Sequence, residues 1–316
     1  MTRKPDLFII GAPKSGTTSL YDYLGGHPDV YMSPMKEPLY FCPDVRTERS
    51  SRRLEYPHDE QRYMALFSDA KSEKRLGEAT TRYLVSHDAA QLVARFQADA
   101  YAIAMLRNPV DLVYSLHNER VSQGHEQIAG FADAIAKEAD REQGVGLPHG
   151  TNVLGGIYRA SAMFSEPLQR WFDALGRKRV HVVIFNDFAS DPHAALRDVL
   201  TFLDVDPDYQ PTSFASRNAS HRQRTWVRRI IDSPAGNWVT HDAMSAVLGP
   251  NRRSRMALRF RHSRVNRQIV RREPLDPALR QQLAGEFRPD VTRLSEMLGR
   301  DLVSLWLAEP GLRSDS

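Results

Sequence analysis

The opening of the chain constrains the fold more than any other stretch. Asp6-Leu7-Phe8-Ile9-Ile10-Gly11 is an apolar run stopped by glycine, which reads as a short buried strand. From Thr17 the spacing turns helical, with Leu20, Tyr21 and Leu24 on one face, and Gly25-Gly26 ends the helix. Between them lies Gly11-Ala12-Pro13-Lys14-Ser15-Gly16-Thr17-Thr18-Ser19-Leu20. Backbone N–H groups at such a strand-to-helix junction, with the positive end of the helix dipole behind them, form an anion site. Gly16 allows the backbone to come close to the anion, Thr17 and Thr18 bring hydroxyl donors, and Lys14 brings a point charge.

The remaining pattern extends this unit. Arg75 to Glu78, Tyr101 to Leu106 and Val180 to Phe185 read as further strands. Helices are expected over Asp88–Phe96, from Asn108-Pro109 to about Ser122, over Gly155–Phe172, over Pro192–Leu203 with Asp191 as N-cap, and from about Asp276 to Leu298. Strands alternating with helices imply βαβ units and a mostly parallel sheet. The fold class is therefore α/β: a P-loop-like three-layer fold with a central, mostly parallel sheet flanked by helices. The 316 residues suit one such domain spanning 1–316.

Composition excludes several alternatives. Hydrophobic residues at 41% and charged residues at 26% are ordinary globular usage, so the chain is not expected to be disordered. Cys42 is the single cysteine, which rules out an internal disulfide. The apolar runs are strand-length, too short for a membrane span, and the N-terminus lacks the apolar core of a secretory signal. A cytoplasmic location is the resulting expectation.

The net charge of +4 is unevenly spread. Fourteen arginines fall between Arg217 and Arg272, with only Asp232, Asp242 and the adjoining Glu273 to offset them. Such a block attracts anions. Its turn signals, Ser233-Pro234-Ala235-Gly236 and Leu248-Gly249-Pro250-Asn251, predict an irregular subdomain or lid at about 217–272. Trp226, Trp238 and Phe260 within it could line an aromatic pocket or pack as core.

The first loop departs from the nucleoside-triphosphate pattern G-x-x-x-x-G-K-[ST]. Gly11 and Gly16 have the right separation, but Thr17 follows where lysine belongs, and Lys14 precedes the second glycine. A kinase is therefore the lesser reading; dependence on Mg²⁺ and ATP would reveal it. A non-catalytic binder of nucleic acid or polyanions through the arginine block is a second alternative. No nucleic-acid motif accompanies that block, and none is expected as a partner.

Pro13-Lys14-Ser15-Gly16-Thr17-Thr18-Ser19-Leu20 after an N-terminal strand closely resembles the 5′-phosphosulfate loop of sulfotransferases that use 3′-phosphoadenylyl sulfate (PAPS). A second element agrees: Met105-Leu106-Arg107-Asn108-Pro109 and, along the following helix, Ser115 resemble the family's 3′-phosphate site. Ser33 to Phe41, containing Lys36-Glu37, resembles the K-E-x-x-[FY]-F segment of heparan-sulfate-type and related bacterial members. Gly77-Glu78-Ala79-Thr80-Thr81-Arg82-Tyr83-Leu84 resembles their G-E-[AK]-[ST]-P-x-Y-[LF] segment. Asn218-Ala219-Ser220, and the last helix through Trp306, extend the likeness. Two departures stand out. Ala79 replaces a frequent lysine, and Arg267-Gln268-Ile269-Val270-Arg271-Arg272 stands where a Lys-Gly-Arg loop is usual.

The resemblance implies in-line transfer of a sulfuryl group from PAPS to an acceptor hydroxyl, without a metal. Lys14, Ser15, Gly16, Thr17, Thr18 and Ser19 would hold the cofactor's 5′ end, and Arg107 with Ser115 its 3′-phosphate. Lys14 would stabilise the bridging oxygen, and Glu37 would act as general base. His117 is a rival base, because other branches of the family use a histidine. With 3.6 residues per turn, however, it points about 200° from Ser115 on the predicted helix.

Overall fold

The computed structural model describes residues 3–46, 56–148, 151–211, 221–223, 267–269 and 274–308. The sheet is built from β1 (Leu7–Gly11), β2 (Val30–Met32), β3 (Arg75–Ala79), β4 (Tyr101–Leu106) and β5 (Val180–Ile184). Its order is β2-β3-β1-β4-β5, and every neighbouring pair is parallel. Each strand therefore delivers its following loop to the same edge. The connections on the two sides of the β1–β4 boundary leave in opposite directions, and ligands of open α/β sheets bind at such a switch point.

The helices among the described residues are α1 (Thr17–Leu24), α2 (Glu60–Ala65), α3 (Ala89–Phe96), α4 (Pro109–Ser122), α5 (Phe131–Ala136), α6 (Glu138–Glu142), α7 (Val153–Gly156), α8 (Ser165–Leu175), α9 (Phe185–Ser190), α10 (Pro192–Phe202), α11 (Pro277–Leu298) and α12 (Leu302–Leu307). None among the described residues is long and apolar enough to cross a membrane.

Strand periodicity divides the core into two layers. Phe8 and Ile10 point to one face, where α3, α4, α8 and α11 add Val93, Leu112, Leu168, Trp171, Phe287 and Val291. Leu7 and Ile9 point to the other, against Leu20 and Leu24 of α1, Phe188 of α9 and Leu196 and Val199 of α10. Each large apolar side chain fully withdrawn from water contributes about 1.5–3 kcal/mol, so a sheet covered on both faces is the stable arrangement for these strands.

Sequence boundaries and observed ones agree closely for β1, α1, β4, α4, α10 and α11. Asp191 caps α10 as expected, accepting from Ala194 N at 3.0 Å, and Asp276 caps α11, accepting from Leu279 N at 2.8 Å. The long helix expected over Gly155–Phe172 is instead broken into α7, a 3₁₀ turn at Ala160–Ala162, and α8. Distant carboxylates cause the break. Glu138 takes the backbone amides of Tyr158 and Arg159, and Asp290 takes those of Phe164 and Ser165. Amides held from outside cannot continue the i to i−4 ladder.

Of the arginine-rich segment, the described residues are His221–Gln223 (β6) and Arg267–Ile269 (β7), which form an antiparallel pair with His221 opposite Ile269. The lid reading of 217–272 and the Asn218-Ala219-Ser220 motif otherwise lie outside the described residues.

Candidate active site

The loop after β1 is shaped by backbone conformation. Gly16, at the N-cap of α1, has φ 90°, and a Cβ there would meet the Phe188 ring at 3.2 Å. Both the handedness and the space demand glycine. Lys14 also lies in the left-handed region, at φ 62°. Such a conformation costs a lysine energy and persists where neighbours hold it in place. The N-cap of α1 makes no side-chain hydrogen bond, so the first turn is not capped from within its own side chains. Thr17 and Ser19 are buried, and the Ser15 hydroxyl is buried against the Pro13 carbonyl at 3.4 Å. Ser15 is thus placed to offer its amide rather than its hydroxyl, whereas the Ser19 amide is held by the Gly16 carbonyl at 3.0 Å.

Arg107 stands at the end of β4, where the strand hands over to α4. Asn108 caps that helix, accepting from Val110 N at 2.9 Å and Asp111 N at 3.3 Å. The guanidinium of Arg107 donates to the Lys14 carbonyl at 3.1 Å and lies 4.8 Å over the Phe185 ring. The two predicted anion-binding residues are therefore neighbours across the β1–β4 boundary. Beside them opens a cleft of ≈ 300 Å³ bordered by Arg107, Asn108, Asp111, Phe185, Asn186 and Trp306. Its walls are tied together. Asn108 Nδ2 donates to the Trp306 carbonyl, Trp306 Nε1 donates to Asn186 Oδ1 at 3.0 Å, and Arg280 of α11 pairs with Asp111 at 2.7 Å.

Ser115 is buried on α4. One turn further along, Glu119 accepts from Lys14 Nζ at 2.8 Å. Sequence reading passed over Glu119, although the i, i+4 relation to Ser115 places it on the same face. Phe185 and Trp306 were also missed as site residues. Phe185 had a signal, because it follows directly on a strand's C-terminal end.

Glu37 belongs to the loop after β2 and sits at φ 61°. Its Oε2 accepts from Thr81 N at 2.9 Å and Thr81 Oγ1 at 3.2 Å, and its Oε1 from Lys36 Nζ at 2.9 Å. The carboxylate is thus oriented by the loop after β3 and keeps lone pairs for a further donor. His117 is only 2% exposed. Its Nε2 faces the Ile128 carbonyl at 2.9 Å, and its ring packs against Phe131 and Tyr158. Burial lowers its pKa. This imidazole anchors the segment after α4.

A parallel sheet that gathers a glycine-shaped loop, a lysine, an arginine and an oriented carboxylate at one edge defines an α/β protein of the P-loop-like class. Comparison with known proteins narrows this. The chain belongs to the sulfotransferase family, whose model matches residues 5–210. It is similar to the crystal structure of a sulfotransferase from Alicyclobacillus acidocaldarius, with 29% identity and a TM-score of 0.72 over 97% of this chain and 100% of that one. It is 24% identical over 275 residues to human carbohydrate sulfotransferase 15, covering 72% of this chain and 48% of the relative. It is 25% identical over 225 residues to the mouse bifunctional heparan sulfate N-deacetylase/N-sulfotransferase 1, covering 66% and 23%. The chain thus spans about half the length, or less, of these curated relatives.

Proposed function

We propose that this chain transfers a sulfuryl group from PAPS to an acceptor hydroxyl. The observation that carries the reading is the contact of the Arg107 guanidinium with the Lys14 carbonyl, which sets the loop after β1 and the end of β4 side by side. Lys14 and the amides of Ser15 to Thr18 receive the 5′-phosphosulfate. Arg107, with Ser115, receives the 3′-phosphate.

The chemistry follows from charge and geometry. The acceptor oxygen attacks sulfur in line with the bridging oxygen. Its proton passes to the Glu37 carboxylate as the O–S bond forms. The bond between sulfur and the 5′-phosphate oxygen breaks, and 3′,5′-ADP (PAP) leaves. Negative charge grows on that bridging oxygen, where the Lys14 ammonium and pre-aimed amides stabilise it. For this the amine must leave Glu119. Both partners are partly exposed, so such a pair is worth about 0–1 kcal/mol and yields readily.

Calorimetry on the full chain tests the cofactor assignment. PAP should bind, and adenosine 5′-monophosphate, lacking the 3′-phosphate, should bind more weakly. Arg107→Ala should weaken PAP by about 10–100-fold, the loss expected for hydrogen bonds to a charged group, and should nearly erase the preference for the 3′-phosphate. Absence of binding heat from folded wild-type protein would overturn the cofactor reading.

A further inference from the structure

Glu78 takes no part in the chemistry above, yet its side chain is fully buried, at the C-terminal end of β3. Its Oε1 accepts from Tyr63 at 3.0 Å and Tyr83 at 2.7 Å, and its Oε2 from Thr80 Oγ1 at 2.7 Å. Glu37 and Cys42 also lie within its electrostatic reach. An ionised carboxylate only accepts, so all three hydroxyls must turn their hydrogens toward it. The lone pairs of Tyr83 and Thr80 are then left facing outward, toward one particular strip of backbone.

That strip carries the candidate base. Three alternate amides are tethered in sequence: Glu37 N to the Ala79 carbonyl at 2.8 Å, Leu39 N to Thr80 Oγ1 at 3.5 Å, and Phe41 N to Tyr83 OH at 3.2 Å. Both Glu37 and Leu39 adopt positive φ, 61° and 57°, which non-glycine residues hold only when over-determined by their surroundings. Two of the three tethers run through hydroxyls oriented by Glu78. The Glu37 carboxylate is itself seated on Thr81, the residue next to Thr80.

We propose that Glu78 is a positioning residue for Glu37, orienting the Thr80 and Tyr83 hydroxyls so that they clasp the 37–41 backbone and aim the base. The proposal rests on the reading of Glu37 as general base. Burial pushes the Glu78 carboxyl up to about 7, with the three hydroxyl hydrogen bonds opposing the shift. Near neutrality it therefore gains a proton on falling pH, and the protonated oxygen then donates to a hydroxyl partner instead of accepting from it.

The test uses the full chain with radiolabelled PAPS and water as the acceptor probe, alongside deuterium uptake of the 36–42 segment. Glu78→Gln can satisfy the tyrosines or Thr80 as an acceptor but not both. Tyr83→Phe removes only the hydroxyl facing Phe41 N. In both variants uptake at 36–42 should rise while uptake in β1 and α1 stays unchanged. PAPS consumption should fall about 10–100-fold, as slight misplacement of a catalytic group does, with KM for PAPS within about twofold of wild type. In wild type, uptake at 36–42, corrected for intrinsic exchange, should rise as pH falls below about 7, and Glu78→Gln should abolish that dependence. Wild-type uptake and wild-type rates in both variants would overturn the proposal. So would faster uptake with an unchanged rate, provided Glu37→Gln is inactive. A Glu37→Gln variant that consumes PAPS at the wild-type rate removes the base reading, and the proposal falls with it.

Discussion

Lys14→Ala is expected to slow PAPS-dependent sulfuryl transfer by about 10²–10³-fold, the cost of deleting one pre-aimed donor at a developing negative charge. The substituted residue also faces a backbone at φ 62° that no longer has the Glu119 ion pair or the ligand to hold it. PAP affinity should suffer less than the rate, because the loop amides and Arg107 remain. Rates measured with labelled PAPS, paired with calorimetry on the same preparation, separate the two effects. A variant retaining half the wild-type rate would remove Lys14 from the reacting centre.

Glu37→Gln is the second large effect. It keeps the shape and the Thr81 contacts while removing the proton acceptor. General base catalysis contributes about 10²–10⁴-fold, so turnover should fall within that range while PAP binding stays close to wild type. The informative comparison is His117→Gln. That substitution should perturb stability, since the ring is wedged between Phe131 and Tyr158, but leave the pH dependence of turnover in place. Loss of activity in the histidine variant at full stability, with a working Glu37→Gln, would exchange the two roles.

Local signals made the first unit readable. Gly11 stops β1, Gly16 opens α1, and the helical spacing lies inside one short stretch. Arg107 was legible for the same reason, because Asn108-Pro109 marks the strand-to-helix handover in sequence. Features set by distant partners were not legible. β2 spans only Val30–Met32, too short for an alternation to register. The break between α7 and α8 depends on Asp290, far along the chain. The arrangement around Glu78 requires Tyr63 from α2 and Tyr83 from another loop to meet in the interior. Resemblance flagged that segment without saying what its carboxylate does. Glu119 was passed over although its place on the Ser115 face follows from helical spacing; its pairing with Lys14 does not.

The Lys14–Glu119 pair has a bearing on which anions the resting protein admits. On the proposed reading, a stray inorganic sulfate would have to displace the Glu119 carboxylate, 2.8 Å from the ammonium, a barrier of only about 0–1 kcal/mol. A nucleotide bearing phosphate at both ends can engage Arg107 first and then contest the lysine from a tethered position, at high effective concentration. Discrimination of this kind favours length and two-point reach over charge alone.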